Sequence, residues 1–273
     1  MSRGLTRARA LVRRLGRTIF GALAIVSAAA LAAPEPKVTA LPVANPTRIL
    51  LVGNSYLYYN DSLHNHLRRM VAAADPETGK RLQYKSATIG GASLDHHNID
   101  WLTEPGRIGV KEPFEIVVLQ GHSGDALSPR GQAAFRKAAS EASRIITARG
   151  GKVALYMPHA YVAPHKEANP DNVRRNAEYF VAVANELDAL VIPVALAFEE
   201  AYRRHPELKL HQAYDGSHPS LQGTYLAAAT CYAALYGKSP VGNGYDAFGA
   251  IDAETRLKLQ RVADDTVRNF FRR

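Results

Sequence analysis

The sequence predicts an α/β fold in which helices cover both faces of a mainly parallel, five-stranded sheet. Short apolar runs, typical of strands buried on both faces, alternate with longer segments whose apolar residues recur at helical spacing. The chain has 273 residues, enough for one such domain. Its 47% hydrophobic and 22% charged residues indicate a folded core rather than a disordered chain.

The predicted elements follow one another in a regular order. A helix begins at about residue 61, with Leu63, Leu67 and Met70 on one face, and another begins at the capping pair Ser128-Pro129 and ends at Gly150-Gly151. Asn169-Pro170 opens a further helix, and three more are predicted near 196–204, 220–236 and 252–271. The five predicted strands span residues 48–52, 82–88, 115–119, 152–157 and 189–194.

The first 32 residues have the pattern of a secretory signal peptide. Six arginines and no acidic residue occupy residues 1–18, an apolar run follows over 19–32, and it ends in the small residues Ala30-Leu31-Ala32. The apolar run is short for a membrane span, which needs roughly 20 residues. We therefore expect a periplasmic or secreted protein without stable membrane association after signal cleavage, and an uncleaved anchor is the alternative. Residues 33–47 are predicted to form an N-terminal tail, and residues 48–273 the folded domain.

The charge of the chain gives no sign of a nucleic-acid partner. The formal net charge is +9, from 34 basic and 25 acidic residues. Without the six arginines of the signal, 28 basic residues face 25 acidic ones, which leaves +3. No basic stripe remains, so nucleic acid is not an expected partner. Cys231 is the only cysteine and lies in an apolar helical run, where we expect a small buried side chain.

Two segments at opposite ends of the predicted domain carry reactive side chains. The segment Gly53-Asn54-Ser55 follows the first strand, so the Ser55 hydroxyl can face a cleft at the sheet edge. Asp215 and His218 lie three residues apart, just before a helix. A carboxylate so placed can hold an imidazole in one tautomer, and the other ring nitrogen can take a proton from a serine. Each segment alone is typical of turns and caps, but together they indicate a nucleophilic serine.

These motifs resemble those of the SGNH, or GDSL-like, hydrolases. Gly53-Asn54-Ser55 is similar to the family's first block, which carries the nucleophile, and Asp215-Gly216-Ser217-His218 is similar to its last block, an Asp-x-x-His. The resemblance covers residues 48–236. It implies a three-layer α/β/α sandwich of flavodoxin type and a triad in which Ser55 attacks, His218 is the base and Asp215 orients the base.

The resemblance also implies an oxyanion hole. Thr88-Ile89-Gly90-Gly91-Ala92-Ser93 is similar to the family's glycine block, so we expect the backbone N–H groups of Gly91 and Ser55 to be donors. The third block departs from the usual Gly-x-Asn-Asp, because the chain has Gln120-Gly121-His122-Ser123. This segment resembles the Gln-Gly-Glu-Ser of a carbohydrate acetylesterase branch. Gln120 is the predicted third donor, and Ser123, which aligns with the family's Asn, is the alternative.

Three further residues are predicted to contact substrate. Tyr56 follows the nucleophile, and one or two of the tyrosines there are expected to form an acyl or sugar wall while the others pack in the core. His122 and His159 each follow a predicted strand and can line the cleft. A hydrogen-bonded histidine at the rim is an equal alternative for both.

The ten histidines do not form a metal-binding pattern. His64 and His66 lie two residues apart on a predicted helix, and His96 and His97 are adjacent, so neither pair shares a face. No His-Glu-x-x-His or comparable pattern occurs. We expect neither a metal nor another cofactor.

The predicted function is therefore that of a secreted serine ester hydrolase. Its expected substrates are O-acetyl or other short-chain acyl esters, carried by a small molecule or a glycan. One alternative is an O-acyltransferase that uses the same triad on an extracytoplasmic glycan. Another is a catalytically silent glycan-binding protein that keeps the fold. The sequence leaves the acyl group, the alcohol and the oligomeric state open.

Overall fold

A parallel sheet organises residues 35–273, the part of the chain that the computed structural model describes. Its strands are β1 (Ile49–Gly53), β2 (Lys85–Thr88), β3 (Ile116–Leu119), β4 (Lys152–Tyr156) and β5 (Leu190–Ile192). They lie in the order β2-β1-β3-β4-β5, and every neighbouring pair is parallel. This is the strand order of flavodoxin-type folds.

Helices connect the strands and complete the chain after β5. Two single turns of 3₁₀ helix, Leu94–His96 and Asp125–Leu127, lie in the loops after β2 and β3. The α-helices are α1 (Ser55–Tyr58), α2 (Leu63–Ala74), α3 (Pro76–Arg81), α4 (Ile99–Thr103), α5 (Pro129–Ala148), α6 (Asn172–Glu186), α7 (Val194–Arg204), α8 (Leu221–Tyr236) and α9 (Ala253–Phe271).

Alternate residues of each strand are buried on opposite faces of the sheet. In β1, Ile49 and Leu51 belong to one apolar cluster, whereas Leu50 and Val52 belong to the other, as a side-chain period of two requires. Helices α2, α7, α8 and α9 cover the first face, and α4, α5 and α6 cover the second. The predicted α/β/α sandwich with a five-stranded parallel sheet is therefore confirmed.

The predicted element boundaries were wrong in several places. Helix α2 begins at Leu63 rather than near 61, because the three preceding residues, Asn60 to Ser62, have φ between 52° and 67°. The fifth strand is shorter than predicted because Val194 already starts α7. Strand β2 begins at Lys85, and α6 begins two residues after Pro170. Helices α1, α3 and α4 are too short for periodicity to reveal them.

The structure describes only part of the N-terminal segment. The predicted signal peptide, residues 1–32, lies outside the described residues. Residues 35–48 form no helix or strand, but Val38 and Leu41 pack against the first apolar cluster and the Lys37 backbone donates to Asn185 Oδ1 at 2.8 Å. Among residues 35–273, no helix combines the length and the apolar character needed to cross a membrane. Cys231 is fully buried in α8, and burial raises the pKa of its thiol.

Phe135 offers a direct test of the core. It is 2% exposed on α5, and its ring centroid lies 5.1 Å from that of Phe180. Phe135→Ala removes these contacts and leaves a cavity, so we expect the free energy of unfolding to fall by about 3–5 kcal/mol in urea titrations. Phe248 is 54% exposed and provides the matched control. Phe248→Ala should cost about 1 kcal/mol or less, and equal losses at both positions would contradict this packing.

Candidate active site

The candidate site lies where the chain order of the sheet reverses. In the sheet, β1 lies between β2 and β3. The chain leaves β1 toward β2 on one side and leaves β3 toward β4 on the other side, so the two connections run in opposite directions. Parallel sheets bind ligands in the crevice that opens at such a point, outside the carboxyl ends of the strands. Ser55 follows β1 and Gln120 follows β3, so both lie at this crevice.

Ser55, His218 and Asp215 form a continuous hydrogen-bonded chain. The Ser55 Oγ lies 2.9 Å from His218 Nε2, and His218 Nδ1 lies 2.5 Å from Asp215 Oδ2. The second carboxylate oxygen, Asp215 Oδ1, accepts the backbone N–H groups of Ser217 at 2.9 Å and of His218 at 3.1 Å. Because Asp215 accepts the proton on Nδ1, the Nε2 lone pair faces the Ser55 hydroxyl. The structure thus brings together the three residues that the sequence singled out.

The Asp215 carboxylate is held in its ionised form. Partial burial favours the neutral acid, but hydrogen bonds from the His218 ring and from the Ser217 and His218 backbones outweigh burial and lower the pKa of Asp215. Gly216, in the same loop, has φ of +62°, and a Cβ there would lie 2.1 Å from the Val162 carbonyl oxygen. The loop bends at this position, and only glycine fits there.

Ser55 is presented by the short helix α1. It is the first helical residue, and Asn54 caps the helix by accepting the Tyr56 N–H on its side-chain oxygen at 3.2 Å. The ring of Tyr59, just beyond α1, stacks on His218 with a centroid distance of 4.2 Å. One turn of chain therefore positions the Ser55 hydroxyl and covers one face of the His218 ring.

Asn54 and Gln120 form a buried amide pair behind the nucleophile. The Asn54 backbone N–H donates to Gln120 Oε1, and Gln120 Nε2 donates to Asn54 Oδ1, both at 2.9 Å. The Asn54 Nδ2 then donates to the carbonyls of Ala92 at 3.0 Å and Gly121 at 3.1 Å. Since Ala92 follows β2 and Gly121 follows β3, the pair joins the loops after three adjacent strands.

This pair corrects the predicted role of Gln120. One hydrogen of its Nε2 is donated to Asn54 and the other to the Gly121 carbonyl at 2.5 Å, so the amide has no hydrogen left for an oxyanion. Gln120 is also fully buried. The amide pair further explains Gly53, because a Cβ there would lie 2.3 Å from Gln120 Oε1. The absence of a side chain at Gly53 therefore makes room for the Gln120 side chain.

Three other groups are available to the crevice. The Ser55 N–H has no acceptor within its own helix, since it belongs to the first residue of α1. Gly91 is exposed, has φ of +67°, and its N–H meets no backbone acceptor among residues 35–273. Ser123 Oγ lies 2.7 Å from the Tyr161 hydroxyl, and either group can donate in that bond.

Two of the three predicted substrate contacts are buried instead. Tyr56 is 3% exposed, and its hydroxyl lies 2.9 Å from Ser217 Oγ. His159 is 1% exposed, and its Nε2 lies 2.9 Å from the Ser217 carbonyl oxygen. Neither side chain reaches the crevice surface, so the prediction of substrate contact was wrong for both. A large aromatic ring directly after the nucleophile is used here for packing.

His122 lines a cavity whose other lining residues include neither Ser55 nor His218, so its predicted place at the cleft beside Ser55 stays a prediction. The cavity has a volume of about 700 Å³ and a polar lining that includes Ser93, His96, Asp125 and Arg130. Asp125 fixes the loop by accepting the His122 N–H at 2.7 Å, and burial raises the pKa of this carboxyl to about 6. Tyr58 and Tyr214 are exposed, and the half-buried Tyr59 contacts both, with its ring centroid 5.7 Å from that of Tyr58 and its hydroxyl 3.3 Å from that of Tyr214.

Sequence reasoning missed the positions of Asn54 and Ser217 at the site. An asparagine directly before a helix is a known capping signal, so the local role of Asn54 could have been found. Its contacts with Ala92 and Gln120 depend on the tertiary fold and leave no local signal. Within residues 35–273, no group of three or more His, Cys, Asp or Glu residues is arranged to hold a metal ion.

Comparisons with known proteins identify the fold. No protein-family model and no curated protein matches the chain. A candidate SGNH hydrolase from Slackia heliotrinireducens is 24% identical, with a TM-score of 0.53, and the match covers 69% of this chain and 98% of that one. An acetyl xylan esterase, AlAXEase, is 16% identical, with a TM-score of 0.53 and coverage of 68% and 99%.

A third structure extends the match over more of the chain. It is a DUF4886 family protein from Bacteroides uniformis, 17% identical, with a TM-score of 0.57 and coverage of 80% and 93%. All three structures are less than 25% identical to this chain, so the comparison establishes the fold alone. The chain has the fold of the SGNH hydrolases, and the resemblance that its motifs suggested is confirmed at that level.

A buried histidine near the site gives a pH test of stability. His211 Nε2 donates to the Ala160 carbonyl at 2.9 Å and its Nδ1 accepts from the Tyr202 hydroxyl at 2.7 Å, so the neutral ring satisfies both partners. Burial lowers the pKa of His211 to about 4, although the bond to Ala160 opposes this. The unfolded chain takes up the proton near pH 6.5, so this residue's contribution to stability is lost as the pH falls from 6.5 towards 4.

We expect wild type to lose about 2 kcal/mol more than His211→Gln between pH 7 and pH 5, because only wild type carries this titrating ring. Urea unfolding at the two pH values measures the difference. A gap between the two proteins that does not change with pH would contradict the burial of a neutral ring.

Proposed function

We propose that the chain is a serine ester hydrolase whose nucleophile is Ser55. The observation that carries the proposal is the chain of two hydrogen bonds from Ser55 Oγ to His218 Nε2 and from His218 Nδ1 to Asp215 Oδ2, at 2.9 Å and 2.5 Å. A serine becomes nucleophilic when an adjacent imidazole can take its proton and a carboxylate fixes that imidazole. The hydrolase and esterase descriptions of the structural neighbours support the same reading.

The reaction follows from these contacts. His218 Nε2 takes the Ser55 proton while Oγ attacks the ester carbonyl carbon, and the negative charge that forms on the carbonyl oxygen is held by the N–H groups of Ser55 and Gly91. Asp215 stabilises the imidazolium by the hydrogen bond to Nδ1. His218 then donates its proton to the alcohol oxygen as the bond to the acyl carbon breaks. Water attacks the acyl-enzyme with His218 again as base, which releases the acid.

We propose Ser123 as the side-chain donor that completes the oxyanion hole. Its hydroxyl can accept from the Tyr161 O–H at 2.7 Å and still donate its own hydrogen. Burial raises the pKa of Tyr161, so that hydroxyl keeps the proton it would donate. Ser123 also occupies the position that aligns with the asparagine of the third block, the alternative that the sequence offered.

The proposed substrates are short-chain acyl esters, including esters carried by carbohydrate. The polar cavity beside His122 and the exposed tyrosines across the crevice suit a substrate with both hydroxyl groups and ring faces. One structural neighbour is an acetyl xylan esterase. The signal-like first 32 residues support a site of action outside the cytoplasm. No cofactor enters this mechanism.

Removal of the nucleophile is the primary test. Wild-type protein should hydrolyse p-nitrophenyl acetate and become labelled by a fluorophosphonate probe, and Ser55→Ala should lose both properties, with a rate loss of about 10³-fold or more. Ser140→Ala, on the exposed part of α5, is the matched control and should behave as wild type. Full activity and labelling in Ser55→Ala would exclude this mechanism. An inert wild-type protein would instead favour the silent glycan-binding alternative.

Ser123→Ala tests the proposed oxyanion donor. Loss of one such donor should lower kcat on p-nitrophenyl acetate by about 10²-fold with little change in KM, because the donor acts mainly on the charge of the transition state. Thermal unfolding of the variant shows whether the loop after β3 remains folded. An unchanged kcat in a folded variant would remove Ser123 from the oxyanion hole.

A further inference from the structure

The feature that the proposed mechanism leaves unused is a fully buried histidine behind the triad. His159 follows β4 and is 1% exposed. Its ring lies between two aromatic rings, with centroids 4.2 Å from Tyr56 at an interplanar angle of 8° and 4.3 Å from Phe198 at 7°. Tyr56 is the neighbour of Ser55 in the chain. The stack therefore connects the nucleophile's helix with the layer of α7.

The same His159 ring also hydrogen-bonds to the loop that contains His218, the proposed base. His159 Nε2 lies 2.9 Å from the carbonyl oxygen of Ser217, which can only accept, so Nε2 carries the proton and donates it. Ser217 has its other polar groups fixed as well. Its N–H donates to Asp215 Oδ1 at 2.9 Å, and its Oγ lies 2.9 Å from the Tyr56 hydroxyl. Every polar group of the residue before His218 is thus hydrogen-bonded.

The histidine occupies this place at a cost to stability. Its second ring nitrogen, Nδ1, is buried and has no hydrogen-bond partner among residues 35–273. A buried acceptor without a partner destabilises a fold, whereas an apolar ring of similar shape does not. Burial also lowers the pKa of His159 well below its usual value, so the ring stays neutral and keeps a single N–H. A phenylalanine would stack between the same two rings, but it could not hold the Ser217 carbonyl.

We propose that His159 is a positioning residue of the triad: its Nε2–H fixes the Ser217 carbonyl, and through it the imidazole of His218 relative to the Ser55 hydroxyl. The proposal rests on the proposed hydrolase function. It adds a residue that touches neither substrate nor the reacting atoms. Displacement of a catalytic group by a fraction of a bond length is enough to slow a reaction strongly.

Two substitutions separate the stacking from the hydrogen bond. His159→Phe keeps an aromatic ring between Tyr56 and Phe198 and removes the donor. His159→Gln keeps an amide N–H at the reach of Nε2 and removes the ring. If the hydrogen bond positions the base, His159→Phe should lower kcat on p-nitrophenyl acetate about 10- to 100-fold while KM changes less than about threefold. The rate of fluorophosphonate labelling of Ser55 should fall in parallel, and His159→Gln should recover most of both rates.

Thermal unfolding provides the readout that a merely structural role would not produce. His159→Phe removes one unpaired buried acceptor, Nδ1, but leaves another, the Ser217 carbonyl, without its donor. The two effects oppose each other, so we expect an unfolding temperature close to that of wild type in a variant that is nevertheless the slower enzyme. His205→Phe is the matched control, because His205 directly follows α7 and its Nδ1 lies 3.8 Å from Glu207 Oε1 rather than beside the triad, and it should leave the rates unchanged.

The outcomes distinguish the positioning role of His159 from the proposed hydrolase function. Wild-type rates in His159→Phe would overturn the positioning role while leaving the hydrolase function intact. Equal slowing in His159→Phe and His159→Gln would also overturn it, since the ring rather than the N–H would then matter. A wild-type protein that neither turns over the ester nor reacts with the probe would overturn both the function and the role of His159.

Discussion

The buried pairing of Asn54 with Gln120 is the interaction on which the geometry of the site depends. The two residues hydrogen-bond to each other, and the Asn54 amide also donates to the carbonyls of Ala92 and Gly121. A loop normally stays at the surface because its backbone groups need water. Here, side-chain amides take the place of water and tie the ends of three parallel strands together. The nucleophile, the glycine loop and the third block are therefore held in one rigid frame.

Much of the fold could be predicted from the sequence because the sheet is buried on both faces. Continuous apolar runs such as 49–52 and 116–119 predict such strands without any knowledge of tertiary contacts. Boundaries were less accessible, since the start of α2 is decided by the left-handed conformation of three residues before it. The triad could be predicted because its members carry distinctive chemistry and follow a known order along the chain. Their distances could not, because they depend on how the loops pack.

The errors at the site have one physical origin. All three of the misplaced residues are buried behind the crevice. Tyr56 was expected at the crevice itself because it follows Ser55. Gln120 was expected at the crevice because its segment resembles the third block, and His159 because it follows a strand. A polar side chain at the end of a strand can either face the crevice or be buried in the layer beneath the crevice. The choice depends on whether partners such as the Ser217 carbonyl lie within hydrogen-bonding reach. Such partners come from loops far away in the sequence, so local patterns do not reveal them.

The hydrogen bond between Ser55 and His218 joins residues that are 163 positions apart. Contacts of such separation form late in folding, because a long loop must close before they contribute to stability. The proposed nucleophile is made early in synthesis, but it meets His218 only after all five strands and the loop before α8 have emerged. A partly folded chain would therefore contain Ser55 as an ordinary, unreactive serine. The chemical reactivity of that one hydroxyl would then report, in time, when the whole domain has finished folding.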